Sequence, residues 1–75
     1  MQLKLTHHAK SRMVQRGITH DDVESAINHP VGPADAGAPG SIWLEGITPG
    51  GRRLRMCVDA NDKSIIITVA WRNGE

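Results

Sequence analysis

Residues 41–72, SIWLEGITPGGRRLRMCVDANDKSIIITVAWR, decide the fold. Side chains of a strand point alternately to opposite faces of a sheet. Over Arg52 to Asp59 that alternation puts Leu54, Met56 and Val58 on one face, and Arg53, Arg55, Cys57 and Asp59 on the other. Ser41 to Ile47 reads as a second strand, with Ile42, Leu44 and Gly46 opposed to Trp43, Glu45 and Ile47. Between them, Thr48-Pro49-Gly50-Gly51 has the length and chemistry of a hairpin turn. Ala60 to Lys63 makes a second turn, and Ser64 to Arg72 carries a β-branched run suited to a sheet centre or to packing under a helix. The stretch predicts a three-stranded antiparallel meander.

Working towards the N-terminus, residues 30–40 hold three Pro and three Gly and read as an irregular loop. Thr19 predicts a helix N-cap, with Asp22 as the acidic half of a capping box and Ile18 and Val23 as a hydrophobic staple. Val23, Ala26 and Ile27 share a face, and Pro30 stops this helix near Asn28 or His29. An earlier helix spans 7–16, capped by Thr6 and ended by Gly17. Gln2 to Leu5 reads as a short edge strand or an extended lead-in. The expected fold is α+β: two N-terminal helices packed on one face of a three-stranded antiparallel β-meander, the other face being solvated or used.

A length of 75 residues and 8.2 kDa predicts a single domain over 1–75. With 39% hydrophobic and 23% charged residues, the chain is neither disordered nor collagen-like. No apolar run approaches the roughly 18 residues of a membrane span, and no basic-then-apolar leader opens the chain, so a soluble, cytoplasmic protein without membrane contact is expected. The lone Cys57 forbids an internal disulfide and offers no zinc cluster. So small a core adds the expectation of a homodimer or a partner chain.

The formal net charge is +1, but the charges are segregated. Lys4, Lys10, Arg12 and Arg16 precede any acid; Asp21, Asp22, Glu24, Asp35 and Glu45 follow without a base; then come Arg52, Arg53 and Arg55. Either the two basic segments meet on one face, or the acids neutralise them in scattered surface pairs. On a helix advancing about 100° per residue, His8, Arg12 and Arg16 lie within about 80° of one another. The helix dipole and Arg12 both disfavour a protonated His8, and a neutral imidazole is the state a general base needs. Guanidinium groups at one-turn spacing offer planar forks to phosphate oxygens. The pattern suits metal-free RNA cleavage, in which a 2′-hydroxyl attacks the adjacent phosphate and cations stabilise the phosphorane. Candidate catalytic residues are His8, Arg12, Arg16 and Arg55; candidate phosphate-binding residues are Lys10, Arg12, Arg16, Arg53 and Arg55. The competing reading has the same side chains snorkelling over the core or bonding backbone carbonyls. His7, His8, His20 and His29 lack metal-ligand spacing, so neither metal nor cofactor is expected. Cys57 reads as a small buried hydrophobe, and Trp43 and Trp71 are too few for a multi-base stacking platform.

The segment His8-Ala9 … Arg12-Met13 … Arg16-Gly17-Ile18 resembles the H-A-x-x-R-M-x-x-R-G-I opening of a small bacterial family, domain of unknown function 4258. That family is similar in size and element order to the RelE-like toxins of toxin–antitoxin pairs. The resemblance implies a metal-free endoribonuclease, acting on messenger RNA at the ribosome and held inactive by a cognate antitoxin. The alternative is a non-catalytic regulatory protein that binds a protein partner or nucleic acid through the basic face of the first helix.

Overall fold

The computed structural model describes residues 2–72. Its elements are β1 (Lys4–Leu5), α1 (His7–Arg16), α2 (His20–Asn28), β2 (Asp35–Ala36), β3 (Ser41–Ile47), β4 (Arg53–Asp59) and β5 (Ile65–Trp71). The protein is α+β, and the predicted meander β3-β4-β5 forms the centre of its sheet. The sheet itself has five strands, in the order β1-β5-β4-β3-β2, and is mixed, because β1 runs parallel to β5. The expected three antiparallel strands gain a strand at each edge: β1 lies in the segment read as an edge strand or a lead-in, and β2 in the segment read as a loop.

Each added strand has a backbone cause. The segment after Leu3 is pinned to β5 by Lys4 N–H donating to the Ser64 carbonyl and Thr6 N–H donating to that of Ile66. The Pro/Gly-rich segment read as wholly irregular instead follows the edge of β3. Ile47 donates to the His29 carbonyl, Val31 donates to that of Glu45, and Asp35 and Ala36 register with Trp43 and Ile42. Only Gly32 to Ala34 leave this edge, with Gly32 at a φ of 74°.

Both helices begin and end where their caps dictate. Thr6 Oγ1 accepts from Ala9 N–H at 3.1 Å and, with its own proton, donates to the Ile67 carbonyl at 2.9 Å. One side chain thereby caps α1 and ties it to β5. Gly17 terminates α1 at a φ of 66°, the left-handed conformation that costs glycine least. The capping box of α2 is formed in both directions between Thr19 and Asp22. At the first turn of the meander, Thr48 is buried and bonds both the N–H and the carbonyl of Arg52.

The helices cover one face of the sheet. Ala9 and Met13 of α1, Ile18 between the helices, and Val23 and Ala26 of α2 pack on Leu54, Met56 and Val58 of β4 and Ile66 and Val69 of β5. Alternation then sends Arg53, Arg55 and Cys57 to the uncovered face. Cys57 is buried there between its cross-strand neighbours Trp43 and Thr68, as a small hydrophobe would be.

Candidate functional site

The uncovered face carries a connected group of charged side chains. Register places Glu45 opposite Arg55 and Trp43 opposite Cys57. Glu45 is the hub: its side chain is 14% exposed, one oxygen accepts from Arg72 Nη1 at 2.6 Å, and the other accepts from Arg53 Nη1 at 3.3 Å. Arg55 instead lies over the Trp43 ring, 4.9 Å from its centroid, and makes no ion pair among the described residues. These groups line a cleft of about 170 Å³ together with Val31, on the β3 edge, and Gly32 and Pro33, where the chain leaves that edge. The indole fixes Arg55, whose N–H groups make no hydrogen bond among the described residues.

The first helix presents a different picture. His8 is exposed, and its Nε2 accepts from Arg12 Nε at 3.3 Å. Arg12 also donates to Gln15 Oε1 at 2.9 Å, and Lys10 is exposed. Arg16 reaches the sheet, where its Nη1 donates to the Val69 carbonyl at 2.8 Å and its own carbonyl accepts from Trp71 Nε1 at 2.8 Å. His8 and Arg12 are therefore brought together, and Arg53 and Arg55 are brought together, but the two groups occupy opposite sides of the sheet. The expected pocket shared by the helix column and the arginine-bearing strand does not form. Its physical reason is β alternation: the helices settle on the Leu54, Met56 and Val58 face, which points Arg53 and Arg55 away from them. The competing snorkelling reading describes Arg16.

The acids of the first half do not neutralise these arginines. Asp21, Asp22 and Glu24 make no ion pair among the described residues; Asp22 is committed to the α2 cap. Sequence reasoning missed Glu45, Arg72 and Asp35 as members of the site. The signal for Glu45 was its shared strand face with Trp43, but only the register shows which arginines stand beside it. Among the described residues, no group of three metal-ligating side chains forms, and no helix is long and apolar enough to cross a membrane.

No curated protein and no solved structure matches the chain. A family model does match, over residues 5–71, which spans both helices and every strand but the first residue of β1. The chain therefore belongs to the family described as Domain of unknown function (DUF4258).

Proposed function

We propose that this chain is a small RNA-binding protein and that it works through the open face of its sheet. The observation that carries this reading is Arg55: its guanidinium is held on Trp43, has no ion-pair partner among the described residues and borders a cleft flanked by Arg53 and Arg72. Guanidinium forks match phosphate oxygens, and an aromatic ring beside them offers an unstacked base a surface. Single-stranded RNA presents both groups at the spacing of one nucleotide. Fluorescence anisotropy with a labelled single-stranded RNA tests it. Arg55→Ala is expected to weaken binding by roughly tenfold, the scale of one lost charge-assisted contact. Arg12→Ala on α1 is expected to leave affinity within about twofold, since one Debye length already screens much of a charge on the opposite layer. Equal affinity of Arg55→Ala and the parent protein defeats the reading.

A toxin-type endoribonuclease is the second reading, favoured by the position of Glu45. A carboxylate held in the cleft between two guanidiniums is placed to take the 2′-hydroxyl proton, while the guanidiniums stabilise the pentacoordinate phosphate. The 2′-oxygen–phosphorus bond forms, the phosphorus–5′-oxygen bond breaks, and the leaving oxygen takes a proton from water. In this reading the cleft is the surface a cognate antitoxin covers. Incubation with RNA in the presence of chelator is expected to yield 2′,3′-cyclic phosphate ends, lost in Glu45→Gln. Intact RNA after prolonged incubation with the parent protein removes the reading and leaves binding alone.

A further inference from the structure

Besides the clamped Glu45, the cleft holds a second acid that phosphate binding does not use. Asp35, on the short edge strand β2, registers directly opposite Trp43 and lines the same cleft. It is exposed, and its carboxylate makes no hydrogen bond or ion pair among the described residues. The cleft thus sets an indole ring and an unspent acceptor side by side, within reach of three arginines. An acid so placed weakens phosphate affinity unless it serves another part of the ligand.

We propose that Asp35 and Trp43 form a nucleobase subsite that selects guanine. This inference rests on the RNA-binding reading and names the ligand class of the same cleft. Its volume of about 170 Å³ admits one planar base and not a stacked run. A base against Trp43 with its Watson–Crick edge toward the cross-strand neighbour Asp35 meets a carboxylate, which only accepts hydrogen bonds. Guanine is the common RNA base with two adjacent donors on that edge, N1–H and the N2 amino group, which match the two carboxylate oxygens. Adenine and cytosine pair one amino group with a ring nitrogen whose lone pair faces the second oxygen. Uracil flanks its single N–H with two carbonyl oxygens that a carboxylate repels. The acid also leaves the cleft attractive to phosphate, because Arg53, Arg55 and Arg72 outnumber Asp35 and Glu45.

The experiment uses the full chain and five labelled pentaribonucleotides, each four uridines around a central guanosine, inosine, adenosine, cytidine or uridine. The guanosine oligomer is expected to bind roughly tenfold more tightly than the uridine oligomer, the discrimination one bidentate base contact supplies. Inosine, which lacks the N2 amino group, loses most of that advantage. In Asp35→Asn the guanosine preference disappears while affinity for the uridine oligomer is kept or rises. Asp35 is exposed, so the variant retains the fold, checked by its thermal melt. Binding of all five oligomers without preference, or a guanosine preference that persists in Asp35→Asn, overturns the subsite alone. Binding of none overturns the RNA-binding reading together with it.

Discussion

Arg16 shows how a residue with the chemistry of a phosphate ligand is used by the fold instead. The outer edge of β5 pairs with β1 only at Ile65 and Ile66, which leaves the carbonyls beyond them without a strand partner. Thr6 Oγ1 takes that of Ile67 and Arg16 Nη1 takes that of Val69. Two side chains from opposite ends of α1 therefore stand in for a strand and blunt an edge that would otherwise invite pairing. Arg16→Ala is expected to cost about 1.5 kcal/mol, the low end of the range for a hydrogen bond to a charged group, because Arg16 is exposed. A domain of this size then melts several degrees lower, since about 1 kcal/mol moves Tm by roughly 4–8 °C. Affinity for RNA should be unaltered, and a melt combined with an anisotropy titration reads both. His8 is the contrasting case. It is exposed and touches Arg12 on its own helix, so His8→Ala is expected to change neither Tm nor RNA affinity nor cleavage. Loss of cleavage in that variant would return catalysis to α1.

At the scale of elements, Gly46 explains why α2 sits so closely on β3. A Cβ there would overlap the Ala26 carbonyl oxygen and crowd its carbonyl carbon. The obstacle is backbone, which cannot swing aside. Gly46→Ala is therefore expected to exceed the usual 1–3 kcal/mol of an overpacked core, and in so small a domain to abolish the cooperative melt. The turn between β4 and β5 gives a pH prediction. The Ser64 hydroxyl donates to Asp62 Oδ1 at 2.6 Å and the Ser64 N–H at 3.0 Å, and these bonds, with Lys4 nearby, hold the Asp62 carboxyl below its ordinary range. A depressed folded value stabilises the fold above the unfolded pKa of about 4, and the contribution is lost as pH falls through the lowered value. Asp62→Ala should therefore show a shallower loss of Tm below about pH 4 than the parent protein.

The long strands and both helices were legible because local chemistry specifies them: period-two alternation in β4, a capping box at Thr19, glycine at position 17. Edge strands of two residues carry too little periodicity to decide: residues 2–5 read equally as a strand or a lead-in, and β2 is hidden in a Pro/Gly-rich segment. The parallel pairing of β1 with β5 joins residues some 60 positions apart, which no local pattern announces. The opposition of α1 to the arginine-bearing face was within reach, since alternation and the layer rule together require it. The clamp of Glu45 by Arg53 and Arg72 was not, because it depends on register across three strands.

For the whole molecule, a net charge of +1 conceals two layers with separate basic surfaces. One is the α1 face with Lys10 and Arg12; the other is the cleft with Arg53, Arg55 and Arg72. RNA can engage only one of them as a continuous path, because the sheet and its core lie between. Salt dependence separates the two. Each phosphate neutralised on a single strand contributes about −0.7 to the slope of log affinity against log salt. If the cleft is the binding surface, the parent protein has a slope of about −1.4 to −2, that of two or three phosphates. Arg55→Ala makes the slope shallower by about 0.7, while Lys10→Ala and Arg12→Ala leave it unchanged. A slope that flattens in the α1 variants and not in Arg55→Ala would place the RNA on the helical layer, where Arg16 is already bound to the Val69 carbonyl and only His8, Lys10 and Arg12 remain to hold it.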